Sequence, residues 1–227
     1  MPDTADRLLD AALMHVAFDG WSETTFKAAV ADADVNMTVA RALFPRGAVD
    51  LAVAYHRRGD ALMVKRLAEA DLSEMRFRDK VAHAVRLRIE AADDREAVRR
   101  GTTLFALPMY APDGAKLIWG TADAIWTALG DTSEDYNWYT KRMTLSAVYS
   151  SVVLFWLGDE SAGHEATWAF LDRRIENVMQ FEKAKAGVKN SNLLGGLLAG
   201  PAKVLERVRA PQSARRDDLP GGWTPGR

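Results

Sequence analysis

The chain of 227 residues contains no cysteine. That excludes disulfides and thiolate metal sites, and it fits a reducing compartment. The four histidines, His15, His56, His83 and His164, are scattered without metal-ligand spacing, so neither a metal nor another cofactor is expected. No window of about 18 uninterrupted apolar residues occurs, so nothing reads as spanning a bilayer and any membrane contact must be peripheral. The opening MPDTADRLLD has neither the basic start and apolar run of a secretory signal nor the acid-poor, Arg-rich character of a transit peptide. It predicts a cytoplasmic location.

Catalytic groupings are lacking too. Glu134 and Asp135 are adjacent on a helix and point apart, and His164-Glu165 sit in a turn. The serines have no nucleophile-elbow context, and there is no Gly-rich phosphate loop. An enzyme is the least supported class of function.

What is present is apolar residues at helical spacing. With 48% hydrophobic content the chain can bury a substantial core, and 30 basic against 31 acidic residues leave a net charge of −1. Residues 4–18 read as an amphipathic helix with Leu8, Leu9, Ala12, Leu13 and Val16 on one stripe and Gly20 as its stop. Thr24 can cap a second helix through Ala33, and Asn36 a short third helix ending at Phe44-Pro45. This is a helix-turn-helix pattern. Its charge opposes DNA binding, because residues 1–60 carry six Lys/Arg against nine Asp/Glu and the third helix has Arg41 as its only charge.

A linking helix over residues 49–70 follows, then helices at about 74–92 and 95–107, whose many arginines read as a solvated face. Met109 to Gly114 is expected to be a Pro/Gly loop, followed by a helix over residues 116–129. Thr132 and Ser133 can cap a central helix that is apolar nearly all round from Met143 to Leu157, which predicts a buried axis. A last core helix runs from Glu165 to Lys183. Such helices suit a core, a dimer seam or a lipid cavity, and periodicity does not separate the three.

The polar start of the central helix, DTSEDYNWYTKR, places Tyr136, Tyr139 and Met143 on one face and Trp138, Leu145, Tyr149 and Val152 on another. Either the aromatics enter the core, or Trp138 and Tyr139 beside Arg142 form a patch of interface anchors. Beyond Gly187 the balance shifts: residues 183–216 carry eight Lys/Arg against Glu206 alone. Leu194, Leu197, Leu198, Val204, Leu205 and Val208 share a helical face opposite Lys203 and Arg207. That is the pattern of a helix lying on an anionic membrane surface, interrupted at Gly195, Gly196 and Pro201; a tail docked on its own domain is the alternative. Residues 212–227 read as disorder.

Two resemblances sharpen this. GWSETTFKAAVADADVNMTVARALFPRG is similar to the N-terminal domain of TetR-type regulators. EDYNWYTKR, a long apolar helix and ATWAFLDRRIENVM together resemble the Coq-nine family, lipid-binding accessory proteins of ubiquinone (coenzyme Q) biosynthesis. The resemblances imply an all-α, TetR-like fold: a helix-turn-helix domain over residues 1–48, a helical lipid-binding domain over 49–186, a membrane-associating tail over 187–211, and a homodimer through the central and final helices. They also imply an isoprenoid quinone or other lipid in the C-terminal domain; the excess of large apolar residues over what one bundle face needs places it beneath Phe105, Met109, Trp119, Trp126, Met143, Val148, Val152 and Trp156. The implied partner is the di-iron demethoxyubiquinone hydroxylase of Coq-seven type, met by Asn137, Trp138 and Tyr139 of the NWY motif with Arg142. Eukaryotic members carry a mitochondrial presequence, and the start of this chain does not resemble one. The expectation is a bacterial relative, peripheral to the inner membrane. The alternative function is a ligand-responsive regulator of the TetR class.

Overall fold

The structure, a computed structural model, describes residues 3–189 and 209–210. Among these it is all-helical. The elements are α1 (Thr4–Asp19), α2 (Glu23–Asp32), α3 (Met37–Leu43), α4 (Ala48–Glu69), α5 (Phe77–Glu90), α6 (Arg95–Phe105), α7 (Ala111–Ala128), α8 (Tyr136–Gly158) and α9 (Glu165–Lys189). A single 3₁₀ turn, Ala162–His164, separates the last two.

Local chemistry sets the boundaries. Asp3 caps α1, and Gly20 ends it at φ 65°, in the left-handed region that a side chain disfavours. The cap of α2 is Ser22 rather than Thr24, because Ser22 Oγ accepts from the Thr25 amide at 3.3 Å. Asn36 caps α3 and Asp94 caps α6. The expected loop at Met109–Gly114 is half helix: α7 starts at Ala111, with Pro112 in its first turn, where a missing amide costs nothing. Asp135, not Thr132 or Ser133, caps α8, since Ser133 is already bonded to Asp131 (Oγ to Oδ1, 2.8 Å).

Two apolar clusters share α4. In the first, Leu8, Val16, Trp21, Phe26 and Phe44 close over Leu51 and Tyr55 of α4 and Ala97 of α6. Three short helices bury too little surface alone, so α4 and α6 complete that core. In the second, Met63 and Leu67 of α4 meet Val85, Ile125, Val152, Trp156 and Leu171. The central helix α8 buries Leu145, Val148, Tyr149, Val152, Trp156 and Leu157, but it is not covered on every side. Met143 and Leu154 are exposed and Phe155 is partly so, stacked on Phe170 with ring centroids 4.5 Å apart. The buried-axis expectation is therefore corrected to one buried face.

Candidate functional site

Between α4, α5, α6, α7 and α8 lies a cavity of about 660 Å³. Its apolar wall is built by Val98, Phe105, Ile118, Val153, Leu154 and Trp156. Size and lining are those of a small-molecule site, an apolar cleft with a few placed polar groups. Among the polar groups that line it are Tyr55, His56, Arg88 and Tyr149.

Arg88 and His56 share one network with Asp60 and Thr121, whereas Tyr55 is held separately. Arg88 is buried, and its guanidinium donates from Nε to Asp60 Oδ1 at 2.6 Å and from Nη2 to the His56 carbonyl at 3.0 Å. Thr121 donates to the same Asp60 oxygen at 2.8 Å, and His56 Nε2 lies 2.9 Å from the Thr121 hydroxyl. Tyr55 bonds Asp93 and the Asp94 carbonyl, each at 3.2 Å. Burial raises the Tyr149 phenol above its ordinary value.

Burial, reinforced by the Arg88 charge and opposed by Asp60, lowers His56 from 6.5 to about 4. The unfolded chain therefore binds a proton that the folded chain refuses across that interval. Stability contributed by neutral His56 is complete above pH 6.5 and lost as pH falls to about 4. At about 1.4 kcal/mol per pH unit this amounts to roughly 3 kcal/mol. The variant His56→Gln should lose that acid sensitivity in denaturant melts between pH 7 and 4; an unchanged slope would mean that folding leaves the proton affinity of His56 where it is in the unfolded chain.

Of the eight residues expected at the ligand, Phe105 and Trp156 line the cavity and six do not. Val148 and Val152 are packed into the second core and do not reach the cavity. Met109 and Met143 are exposed. Trp126 stacks on Phe77 with ring centroids 5.7 Å apart, under the Lys141 ammonium. Trp119 joins the aromatic surface at the start of α8. Size and apolarity marked these residues; their helical phase put them elsewhere.

Sequence reasoning missed Arg88, and a signal was available. Val81, Ala84, Val85, Arg88 and Ile89 are the buried face of α5, so this arginine sits in phase with the apolar stripe rather than on the solvated side.

The aromatic surface is built from α7 and α8. Trp138 and Tyr139 meet edge-on at 4.8 Å, and Trp119 lies 5.8 Å from Trp138 and 6.4 Å from Tyr139. Asn137, Trp138 and Tyr139 are half-buried, which falls between core and open patch. Asn137 is committed to the helix start, donating from Nδ2 to Asp135 at 2.9 Å. Tyr139 Oη donates to the Arg209 carbonyl at 3.3 Å, and the Ala210 amide to the Glu134 carbonyl at 2.9 Å.

Arg142 is not part of any exposed patch: it is 2% exposed. Its Nε contacts Asp123 at 2.6 Å and its Nη1 contacts Asp131 at 3.0 Å, with the guanidinium 4.0 Å from the centre of the Trp138 ring. It falls in phase with Leu145, Tyr149 and Val152, whose stripe is buried. The arginine therefore holds Trp138 from beneath. Leu194, Leu197, Leu198, Lys203, Val204, Leu205, Arg207 and Val208, the expected membrane face, lie outside the described residues, as does the terminus from residue 211.

These features define the class: an all-helical protein of TetR-like architecture built round an apolar cavity. A solved TetR transcriptional regulator from Nitrosomonas europaea superposes with a TM-score of 0.64 at 20% identity, covering 77% of this chain and 97% of that one. At that identity the likeness is one of fold. The family model for COQ9 matches residues 111–182, the span from α7 into α9 that carries the aromatic surface. Ubiquinone biosynthesis protein COQ9, mitochondrial, from Drosophila melanogaster is 30% identical over 183 residues, which is 78% of this chain and 55% of that protein. The protein of the same name from Homo sapiens is 26% identical over 215 residues, 89% of this chain and 66% of that one. The chain is thus similar to COQ9 proteins along most of its length and has a TetR-like fold. It spans between about half and two thirds of the length of these relatives.

Proposed function

We propose that this chain is a non-catalytic accessory protein of ubiquinone biosynthesis, which holds an isoprenoid quinone intermediate in its cavity and presents it to a membrane-associated hydroxylase. The observation that carries the reading is the apolar cavity of about 660 Å³, a volume that tight packing of the same helices would have removed. Binding can be followed directly, because Trp21 and Trp156 line the space. Titration with a short-tailed quinone should quench tryptophan emission and saturate at one equivalent per chain. Emission that falls linearly without saturating would defeat the reading.

The aromatic surface is the proposed docking site for a hydroxylase of the demethoxyubiquinone type. Half-buried Trp and Tyr on a rigid helix are suited to anchoring a partner, since little side-chain freedom is left to lose. The double variant Trp138→Ala/Tyr139→Ala should weaken binding to an immobilised hydroxylase by roughly thirtyfold or more. Full retention of the hydroxylase by the double variant would remove the assignment.

The basic amphipathic segment from Leu194 to Val208 is the proposed contact with an anionic inner-membrane surface, and the exposed side of α8 and α9, where Phe155 stacks on Phe170 beside Leu154, the proposed seat of a second copy in a homodimer. Among the described residues no helix is long and apolar enough to cross a membrane.

A regulator's role is disfavoured by α3. Arg41, its one cation, is bonded to Glu23 and lies over the Phe26 ring, while Met37, Val39 and Leu43 make its exposed side apolar. A helix that reads DNA needs free phosphate contacts and polar groups for base edges.

A further inference from the structure

The polar end of the cavity is more specific than its apolar wall, and it constrains the chemistry of whatever the cavity holds. The relevant groups are Arg88, Asp60, His56, Gly59 and Tyr149. Arg88 Nε and Nη2 are taken by Asp60 and the His56 carbonyl, whereas Nη1 has no hydrogen-bond partner among the described residues. Arg88 lines the cavity, and so do Gly59 and His56 from α4, Leu117 from α7 and Tyr149 from α8. The guanidinium reaches this position because residue 59 is glycine: a Cβ there would come within 2.6 Å of Nη1. Glycine is a poorer helix former than alanine, so the close approach comes at the expense of α4 itself.

The charge on Arg88 is already answered. Asp60 lies 2.6 Å from it, and His56 carries no charge at neutral pH. An anion brought to Nη1 would therefore be buried without a countercharge, which is far more costly than burying a neutral hydrogen-bond acceptor. The rim does not alter this balance, since Arg58 and Arg66 are matched there by Glu90 and Asp93, and Arg58 is bonded to Asp10.

Resting on the reading of the cavity as a lipid site, we infer that Arg88 Nη1, seated on Gly59 beside Tyr149, is a head-group subsite for an amphiphile whose polar end is an uncharged oxygen acceptor. It takes a carbonyl or ether oxygen and discriminates against carboxylates and phosphates. The subsite also fixes polarity of binding, with the head between α4, α5 and α8 and the tail running toward Phe105 and Leu154.

Three probes with the same tail test this on the full chain by displacement of a cavity-bound fluorophore: methyl dodecanoate, dodecanoate and dodecane. The ester should bind roughly tenfold more tightly than the carboxylate at neutral pH, the scale of one satisfied buried acceptor. In Gly59→Ala the new methyl group pushes the guanidinium away, and the ester should lose roughly tenfold while dodecane is unaffected. Arg88→Lys keeps the charge beside Asp60 and removes Nη1, so it should behave in the same way. Dodecanoate binding as tightly as the ester, or both substitutions affecting ester and dodecane alike, would overturn the subsite and leave the cavity reading standing. Failure of all three probes to displace the fluorophore from the unaltered chain would remove the cavity reading, and the subsite with it.

Discussion

Replacing Arg142 with alanine should destabilise the protein by about 3–5 kcal/mol, the range for removing one partner of a buried ion pair. The reason is the charge left behind. Asp131 and Arg142 each have side chains only 3% exposed, so without Arg142 the Asp131 carboxylate stays buried with Lys141 as its remaining cationic partner. Asp123 is 44% exposed and can return to water, so its share of the loss is small. For a chain of this size the loss corresponds to a fall of roughly 10 °C in Tm. The same substitution removes the support beneath Trp138, so the aromatic surface should lose order along with stability.

Acid titration separates this account from simple loss of packing. Burial raises the Asp131 carboxyl, but hydrogen bonds from Lys141, Ser133 and Arg142 outweigh it and hold the group at about 2, against an ordinary 3.8. A depressed carboxylate contributes stability that is complete above pH 3.8 and lost as pH falls to about 2. In Arg142→Ala the Asp131 value should move up, and acid unfolding should begin at a higher pH. The variant Arg142→Met, which preserves most of the side-chain volume, should shift in the same direction. If either variant melts within about 1 kcal/mol of the unaltered chain, the pair is not the support described.

Filling the cavity should have the opposite effect on stability and a larger one on binding. Val153 lines the cavity from α8 and is only partly buried. A tryptophan at 153 has empty space to enter, so it should gain dispersion contacts rather than overpack. The expected result for Val153→Trp is a Tm equal to or above that of the ligand-free chain. Quinone affinity should fall by at least thirtyfold, or about 2 kcal/mol. Loss of both binding and stability would show that the region is packed core, with no room for a guest.

The comparison of sequence and structure follows the range of the interactions involved. Helix ends governed by one or two residues were legible: Gly20 stops α1 and Asn36 starts α3. Pro112 was misleading because the same residue that breaks a helix interior is favoured in a first turn. The apolar character of α8 was evident, but α7 and α9 are its main packing neighbours, and which face would be left beside a void depends on where α4, α5 and α6 stop short of it. Phe105 and Trp156 therefore fell at the cavity while Val148 and Val152 fell in the core. Arg88 and Arg142 were both read as surface or interface groups from their charge, although each lies in phase with buried apolar neighbours. Phase was the better guide than charge in both cases, because a buried partner, Asp60 or Asp131, can sit many residues away.

The central claim is that the cavity holds a lipid, and the most direct measurement is mass spectrometry of an organic extract of the purified full chain beside Val153→Trp. An isoprenoid quinone or related neutral lipid is expected in near-stoichiometric amount from the unaltered chain and little from the variant. An extract with no such species, or the same quantity from both proteins, would contradict it.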